Sequence, residues 1–84
     1  MKPRLFHQIG AGGEASSQVR KFIVDHELQD QIEFSNVAYE GPQKALVERL
    51  GAVEAPVLYV GEETYRGPEA IISWLQANLR RPAE

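Results

Sequence analysis

The chain has no cysteine among its 84 residues. This absence excludes a disulfide framework, and it excludes any mechanism that depends on a pair of protein thiols. The two histidines, His7 and His26, stand apart in the sequence without clustered ligands, and we therefore predict no metal site. Whatever chemistry this protein supports must proceed without a thiol of its own.

An excess of positive charge and long apolar runs are also lacking. Lysine and arginine together number 9 against 12 acidic residues, which gives a formal net charge of -3 at pH 7. This balance provides no basic surface for nucleic acid, so we predict no nucleic-acid partner. No apolar run approaches the length of a membrane span, and residues 1–5 lack the apolar stretch of a secretory signal. We expect a cytoplasmic protein without a membrane partner.

The length and composition predict one globular domain over residues 1–84. The chain is 43% hydrophobic and 25% charged, which is ordinary for a folded protein. A domain of this size buries about 60–65% of the surface that its unfolded chain exposes. The chain is therefore long enough for a single core and too short for a second one.

The first half of the chain predicts a strand, a helix and a second strand. The short apolar run 4–9 indicates a strand, which we place in the centre of a sheet, and a loop with three glycines in residues 10–13 follows it. Apolar spacing predicts an amphipathic helix over residues 14–28, carried by Val19, Phe22, Ile23 and His26. A second strand over 32–37, with Ile32 and Phe34 on one side, completes a βαβ unit.

The third predicted strand opens with a proline. A second helix is predicted over residues 42–50, with Pro42 at its first position and Gly51 at its left-handed stop. Pro56 then begins the apolar strand 57–60. Because proline has no N–H to donate to a sheet, we predict a bend there, such as a cis peptide bond, beside an open main-chain edge.

A hairpin and a helix end the predicted fold. Gly61-Glu62 suits a type II′ turn into an antiparallel strand over residues 63–66. Gly67-Pro68 opens a last helix that ends near Asn78, and its apolar stripe repeats every four residues at Ile71, Leu75 and Leu79. We expect a frayed tail from about residue 80.

This order of elements, with a proline opening the third strand, resembles the thioredoxin fold in its short glutaredoxin-like form. It also resembles the N-terminal domain of glutathione S-transferases. The family's VPxL strand is similar to Ala55-Pro56-Val57-Leu58, its SxxVRxxL stretch to residues 17–22, and its SxAIxxYL helix to residues 68–75. The likeness covers nearly the whole chain and implies a βαβ-α-ββα sandwich with a four-stranded mixed sheet.

The resemblance implies a glutathione cleft from which the thiols are missing. Matching the first helix places the glutaredoxin CxxC cysteines at Gly13 and Ser16, and neither is a thiol. The hydroxyl of serine-type transferases also falls near Gly13, which leaves Ser16 as the catalytic candidate and Ser17 as a second one. The basic residue that glutaredoxins keep before the CxxC would lie near Gly10 and is absent.

Other parts of that cleft are retained according to the resemblance. The main chain of Ala55, next to Pro56, would pair with the cysteinyl part of glutathione, beside the glycine-lined helix start at Gly12 and Gly13. The γ-glutamyl end would lie against Gly67 and Glu69, with the Glu69 carboxylate accepting its amine. Pro68 removes one of the main-chain N–H groups that would bind the ligand's carboxylate. The loss of this hydrogen bond lowers the binding free energy by about 1.5–3 kcal/mol, or roughly ten- to a hundredfold in affinity.

Three hypotheses for function follow. The leading one is a non-redox domain that binds a glutathione-like peptide or an extended protein segment at the Ala55-Pro56 edge, with glutathione as the only small molecule implied. The second is a glutathione-dependent enzyme in which Ser16 or the helix N-terminus lowers the pKa of the ligand's own thiol, with His7 as the sole attractive base. The third is a thiol-free variant of a redox protein. Against all three, Pro56 and the glycine loop also make sense as purely structural features, and the oligomeric state stays open.

Overall fold

Four short strands form one mixed sheet in the computed structural model, which describes residues 2–82. They are β1 (Arg4–His7), β2 (Glu33–Asn36), β3 (Val57–Val60) and β4 (Glu63–Arg66). Their order in the sheet is β2-β1-β3-β4. β1 runs parallel to β2 and antiparallel to β3, and β3 runs antiparallel to β4. The prediction that the first strand is central is confirmed.

Three α-helices cover the sheet: α1 (Glu14–Asp25), α2 (Glu40–Leu50) and α3 (Pro68–Asn78). A short 3-10 helix, Gln29–Gln31, lies between α1 and β2. Pro68 occupies the first turn of α3 as predicted, and Gly51 ends α2 with a left-handed φ of 79°. The chain is therefore a small α/β domain with a four-stranded mixed sheet and three helices.

The two faces of the sheet carry different cores. On one face α1 and α3 enclose a cluster of eight buried apolar side chains: Leu5, Val19, Ile23, Leu28, Ile32, Leu58, Ile71 and Leu75. On the other face α2 covers a cluster of four: Phe6, Leu46, Val57 and Tyr59. Alternation along the strands produces this division, because Leu5 and Phe6 point to opposite faces of β1. We call these the α1/α3 face and the α2 face.

Several predicted boundaries are wrong, for identifiable reasons. β1 ends at His7 instead of Ile9, because the next main-chain N–H, that of Gln8, donates to the Ser16 hydroxyl at 3.0 Å. α1 ends at Asp25 instead of residue 28. There Glu27 adopts a left-handed φ of 55°, and the Leu28 N–H reaches back to the Ile23 carbonyl at 2.9 Å. Two hydrogen bonds outside regular structure therefore stop these elements early.

The second strand and helix also differ from their predicted extents. β2 covers only residues 33–36 and is an edge strand of the sheet. Phe34 on this strand is 41% exposed, whereas Ile32, which precedes the strand, is buried. α2 begins at Glu40, two residues early, since the Gln43 N–H donates to the Tyr39 carbonyl at 3.2 Å. Pro42 is thus the third residue of α2. Proline is tolerated there because an N–H at this position would have no partner within the helix.

The hairpin between β3 and β4 has the predicted geometry. Gly61 adopts a positive φ of 59°, and Glu62 does not share it, as a type II′ turn requires. After α3 the chain continues without regular structure to Pro82. Arg80 accepts a hydrogen bond at its carbonyl from Gln31, and Arg81 pairs with Glu27 at 2.9 Å. The rest of the predicted frayed tail, Ala83 and Glu84, lies outside the described residues, as does Met1.

Candidate functional site

One end of the sheet gathers most of the residues singled out from the sequence. β1 and β2 end there, because His7 is in register with Asn36. β3 begins there and β4 ends there, since Val57 is in register with both Phe6 and Arg66. The glycine loop after β1, the Ala55-Pro56 step and the start of α3 therefore lie at the same end. We call this the loop end of the sheet.

Ala55 presents unpaired main-chain groups at the loop end. The peptide bond between Ala55 and Pro56 is cis, as predicted. The Pro56 carbonyl accepts the Gly67 N–H at 3.1 Å, whereas the Ala55 N–H and carbonyl have no hydrogen-bond partner among residues 2–82. Ala55 is half-buried, so these groups lie at the rim of the domain. They can pair with an added extended chain.

An ion pair that the sequence analysis missed braces this edge. Arg66 at the end of β4 grips the carboxylate of Glu54 with two hydrogen bonds, from Nε at 2.9 Å and from Nη2 at 2.6 Å. The Glu54 carboxylate raises the pKa of Arg66 through these bonds and its charge. Glu54 directly precedes Ala55, so the ion pair fixes the position of the chain next to the unpaired main chain of Ala55. No local signal predicts it, because the partners are 12 positions apart.

The glycine loop is a tight turn that already uses part of its main chain. Gly10 and Gly12 have left-handed φ values of 89° and 83°. The Gly13 N–H donates to the Gly10 carbonyl at 3.0 Å, and a Cβ on Gly13 would stand 2.6 Å from the Gln8 carbonyl oxygen. Gly13 is buried, whereas Gly12 is exposed. Of the two predicted ligand-binding glycines in this loop, only Gly12 therefore presents free main chain, and position 13 has no room for a side chain.

The two predicted serines occupy very different places. Ser16 is 1% exposed, and its hydroxyl accepts the Gln8 N–H, which ties the first turn of α1 to the end of β1. Ser17 is exposed. The catalytic role of Ser16 stays a prediction, and the contacts that the structure shows for its hydroxyl are structural.

His7 belongs to a small polar cluster with Arg20 and Gln8 on the α1/α3 face. It is 7% exposed, and its Nδ1 is 3.2 Å from a guanidinium nitrogen of Arg20, which also donates to the Gln8 carbonyl at 2.8 Å. Burial lowers the pKa of His7, and the positive charge of Arg20 lowers it further. His7 is thus a neutral imidazole that accepts a hydrogen bond, and among residues 2–82 no hydrogen bond links it to the Ser16 hydroxyl.

The start of α3 offers main-chain donors beside the Ala55 edge. Gly67 has a φ of 87°, and its N–H is occupied by Pro56. The next N–H groups, those of Glu69 and Ala70, have no partner among the described residues, and the Glu69 side chain is exposed in the first turn. This is the arrangement of a helix start that can receive polar groups.

The loop end also has a shallow depression in front of α1. It is lined by Gly10, Gly13, Glu14, Ser17 and Arg20. It includes one of the predicted glycines but neither Ala55 nor Glu69. The structure therefore brings the predicted residues to one end of the sheet without enclosing them in a single pocket.

Between residues 2 and 82, no group of three or more His, Cys, Asp or Glu side chains is placed to hold a metal ion. No helix over that range has the length and hydropathy needed to cross a bilayer.

Comparisons with known proteins leave the family of this chain unassigned. No family model matches the sequence, and no curated protein matches it. The geometry of the loop end is therefore the basis for any functional conclusion.

Proposed function

We propose that this protein is a thioredoxin-like domain, of glutaredoxin or transferase N-terminal type, that binds an extended ligand without redox chemistry. The ligand is a small thiol peptide such as glutathione, or an extended protein segment, paired with the main chain of Ala55. The observation that carries the proposal is the unpaired N–H and carbonyl of Ala55 at the loop end. The order of elements and the proline that opens β3 support the likeness on which the ligand class depends.

The charges at the loop end support a peptide with a free amine. Glu69 is exposed beside the free N–H groups of α3, so its carboxylate can accept hydrogen bonds from a γ-glutamyl amine while those N–H groups donate to a carboxylate of the ligand. These contacts need no protein thiol. They fix the ligand's polar end at α3 and leave its extended backbone for Ala55.

Binding is favoured over activation of the ligand's thiol. The Ser16 hydroxyl is buried and already accepts the Gln8 N–H. The acidic Glu14 lies in the first turn of α1, where its negative charge opposes a thiolate at that helix start. The contact that a Cβ on Gly13 would make with the Gln8 carbonyl also disfavours a redox scaffold with a cysteine at that position.

A titration with reduced glutathione, followed by NMR of the main-chain amides, tests the proposal. We expect the amides of Gly12, Ala55 and Glu69 to shift together and to saturate at millimolar ligand. S-methylglutathione should produce the same shifts, because main-chain pairing does not need the thiol. The absence of shifts at these residues would reject the small-peptide form of the proposal.

Two variants separate this binding mode from general attraction to a charged peptide. Glu69→Gln should weaken glutathione binding about tenfold, because it removes one charge-assisted contact. Glu62→Gln is the matched control, since Glu62 is exposed in the β3–β4 turn at the opposite end of the sheet. Glutathione-dependent turnover that is lost in Ser16→Ala would instead support the enzyme hypothesis, and no turnover in the wild type would remove it.

A further inference from the structure

Two arginines on the α2 face each lie over an aromatic ring. The Arg4 guanidinium carbon is 4.5 Å from the centroid of the Phe6 ring, and that of Arg49 is 3.8 Å from the centroid of the Tyr59 ring. The two rings contact each other edge to face, with centroids 4.6 Å apart. A guanidinium over a ring face is held by the ring's quadrupole. Two positive charges are thus fixed over adjacent rings.

Hydrogen bonds fix the Arg4 side chain and the Tyr59 ring beneath Arg49. Arg4 donates from Nε to the Ser35 hydroxyl at 2.8 Å, which fixes the plane of its guanidinium. The Tyr59 ring is buried, and its hydroxyl donates to the Ala45 carbonyl of α2 at 3.3 Å. Arginines held in this way lose less conformational entropy when they bind a ligand.

Neither arginine has a carboxylate partner within residues 2–82. Arg66 and Arg81, by contrast, pair with Glu54 and Glu27. In the described part of the chain, the terminal nitrogens of Arg4 and all the guanidinium nitrogens of Arg49 make no hydrogen bond. Both arginines line one open depression of about 470 Å³, together with Ala45, Glu48 and Tyr59. The depression therefore presents unused N–H donors from two guanidinium groups.

We propose that this depression binds a phosphate group, as inorganic phosphate or as a phosphomonoester. The planar guanidinium presents pairs of N–H donors that match two phosphate oxygens, and a phosphate has enough acceptor oxygens for both guanidinium groups at once. A carboxylate has two oxygens, which are enough for one guanidinium group. Burial raises the pKa of Tyr59 above its ordinary value, so the phenol stays neutral and adds no negative charge. Glu48 on the rim opposes the anion and limits its affinity.

This site is separate from the loop end. Arg4 is in register with Tyr59, near the end of the sheet where β3 finishes, whereas Ala55 precedes the start of β3. Arg49 lies in the last turn of α2, which starts at the loop end. Failure of glutathione binding would therefore leave this inference intact, and failure of phosphate binding would leave the proposed function intact.

The test is an NMR titration of the arginine side-chain N–H signals with inorganic phosphate at constant ionic strength. We expect saturable shifts of the Arg4 and Arg49 signals and of the Tyr59 amide. Methyl phosphate is the second arm: stronger binding than inorganic phosphate identifies a monoester as the ligand, and weaker binding identifies the free anion. Acetate at the same concentration should bind more weakly, and equal binding by acetate would overturn the assignment to phosphate.

Charge variants locate the site. Arg49→Gln should weaken phosphate binding about tenfold, and Glu48→Gln should strengthen it. Arg80→Gln is the matched control, because it removes the same charge from an exposed position outside this depression. Arg49 is exposed, so the variant is expected to fold, and circular dichroism checks this. No saturable shift in the wild type, or the same affinity in Arg49→Gln as in Arg80→Gln, would overturn the inference.

Discussion

The two faces of the sheet are closed in different ways. On the α1/α3 face, two helices and the segment before β2 bury eight apolar side chains, and the polar groups there, His7 and Ser16, are buried and bonded. On the α2 face, one helix buries four, and two arginines complete the cover. A sheet covered by a single helix keeps space beside that helix. The first face therefore holds the larger apolar core, and the second face depends more on polar and aromatic contacts at its surface.

The largest effect that would test this difference is the loss of a core leucine on each face. Leu58 on β3 and Leu46 on α2 are both fully buried. Leu58→Ala should lower the free energy of unfolding by about 3–5 kcal/mol, because Leu58 lies in the larger cluster beneath two helices and its surroundings relax little. Leu46→Ala should cost less, about 2–3 kcal/mol, since nearby side chains and water can enter from the open side. Urea denaturation measures both, and equal losses would show that the faces are packed alike.

A smaller effect is expected from filling a glycine position next to each face. Gly13→Ala should destabilise the protein by about 1–3 kcal/mol, because the new Cβ would stand 2.6 Å from a main-chain oxygen of Gln8. Gly41→Ala in α2 is the control, because a Cβ there meets no atom beyond its chain neighbours and the φ is not left-handed. It should change stability less than Gly13→Ala does, because the gain in helix propensity is offset by the restriction that Pro42 places on the residue before it. Thermal unfolding of both variants decides the matter, and a Gly13→Ala variant as stable as the wild type would contradict the close approach.

The smallest effect concerns pH and the buried imidazole of His7. Its pKa is lowered from 6.5 by burial and by Arg20, so the unfolded chain takes up this proton at a higher pH than the folded one does. The stability that the neutral ring contributes is present above pH 6.5 and is lost as the pH falls below it. Wild-type protein should therefore lose stability between pH 7 and mildly acid pH, as measured by chemical denaturation.

The matched pair for this pH effect uses both histidines. His7→Gln should flatten the dependence of stability on pH, because no buried ring remains to be protonated. His26→Gln, at an exposed position outside the core, should keep the wild-type slope. If His7→Gln kept that slope as well, the pH dependence would arise from other groups, and the prediction that protonation of His7 destabilises the fold would be wrong.

Much of the fold was predictable because its signals are local. Proline and glycine mark the start of α3, the stop of α2 and the β3–β4 turn, since each residue type restricts or frees φ at its own position. The ends of β1 and α1 were not predictable. A serine hydroxyl eight positions away ends β1, and a non-glycine residue, Glu27, takes the left-handed conformation after α1. Such boundaries depend on contacts that the local pattern does not contain.

The candidate site was predictable in position but not in detail. The bend before β3 and the gathering of Gly12, Ala55 and Glu69 at one end follow from strand order. The burial of Ser16, the occupied N–H of Gly13 and the brace between Glu54 and Arg66 do not. Arg20 follows Ser16 by four residues on α1, so the helical period predicts that both lie on the same side of the helix. The sequence does not predict His7 as the partner of Arg20.

The sequence by itself determined the order of strands and helices, the proline that precedes β3 and the absence of a protein thiol, because these depend on residue type and short-range spacing. Only the tertiary structure decided which polar groups remain free. In the folded chain, hydrogen bonds occupy the hydroxyl of Ser16 and the N–H of Gly13, while the main chain of Ala55 and the guanidinium groups of Arg4 and Arg49 keep unused hydrogen-bonding capacity. Binding depends on such unsatisfied groups, and their number is known only once the chain has packed.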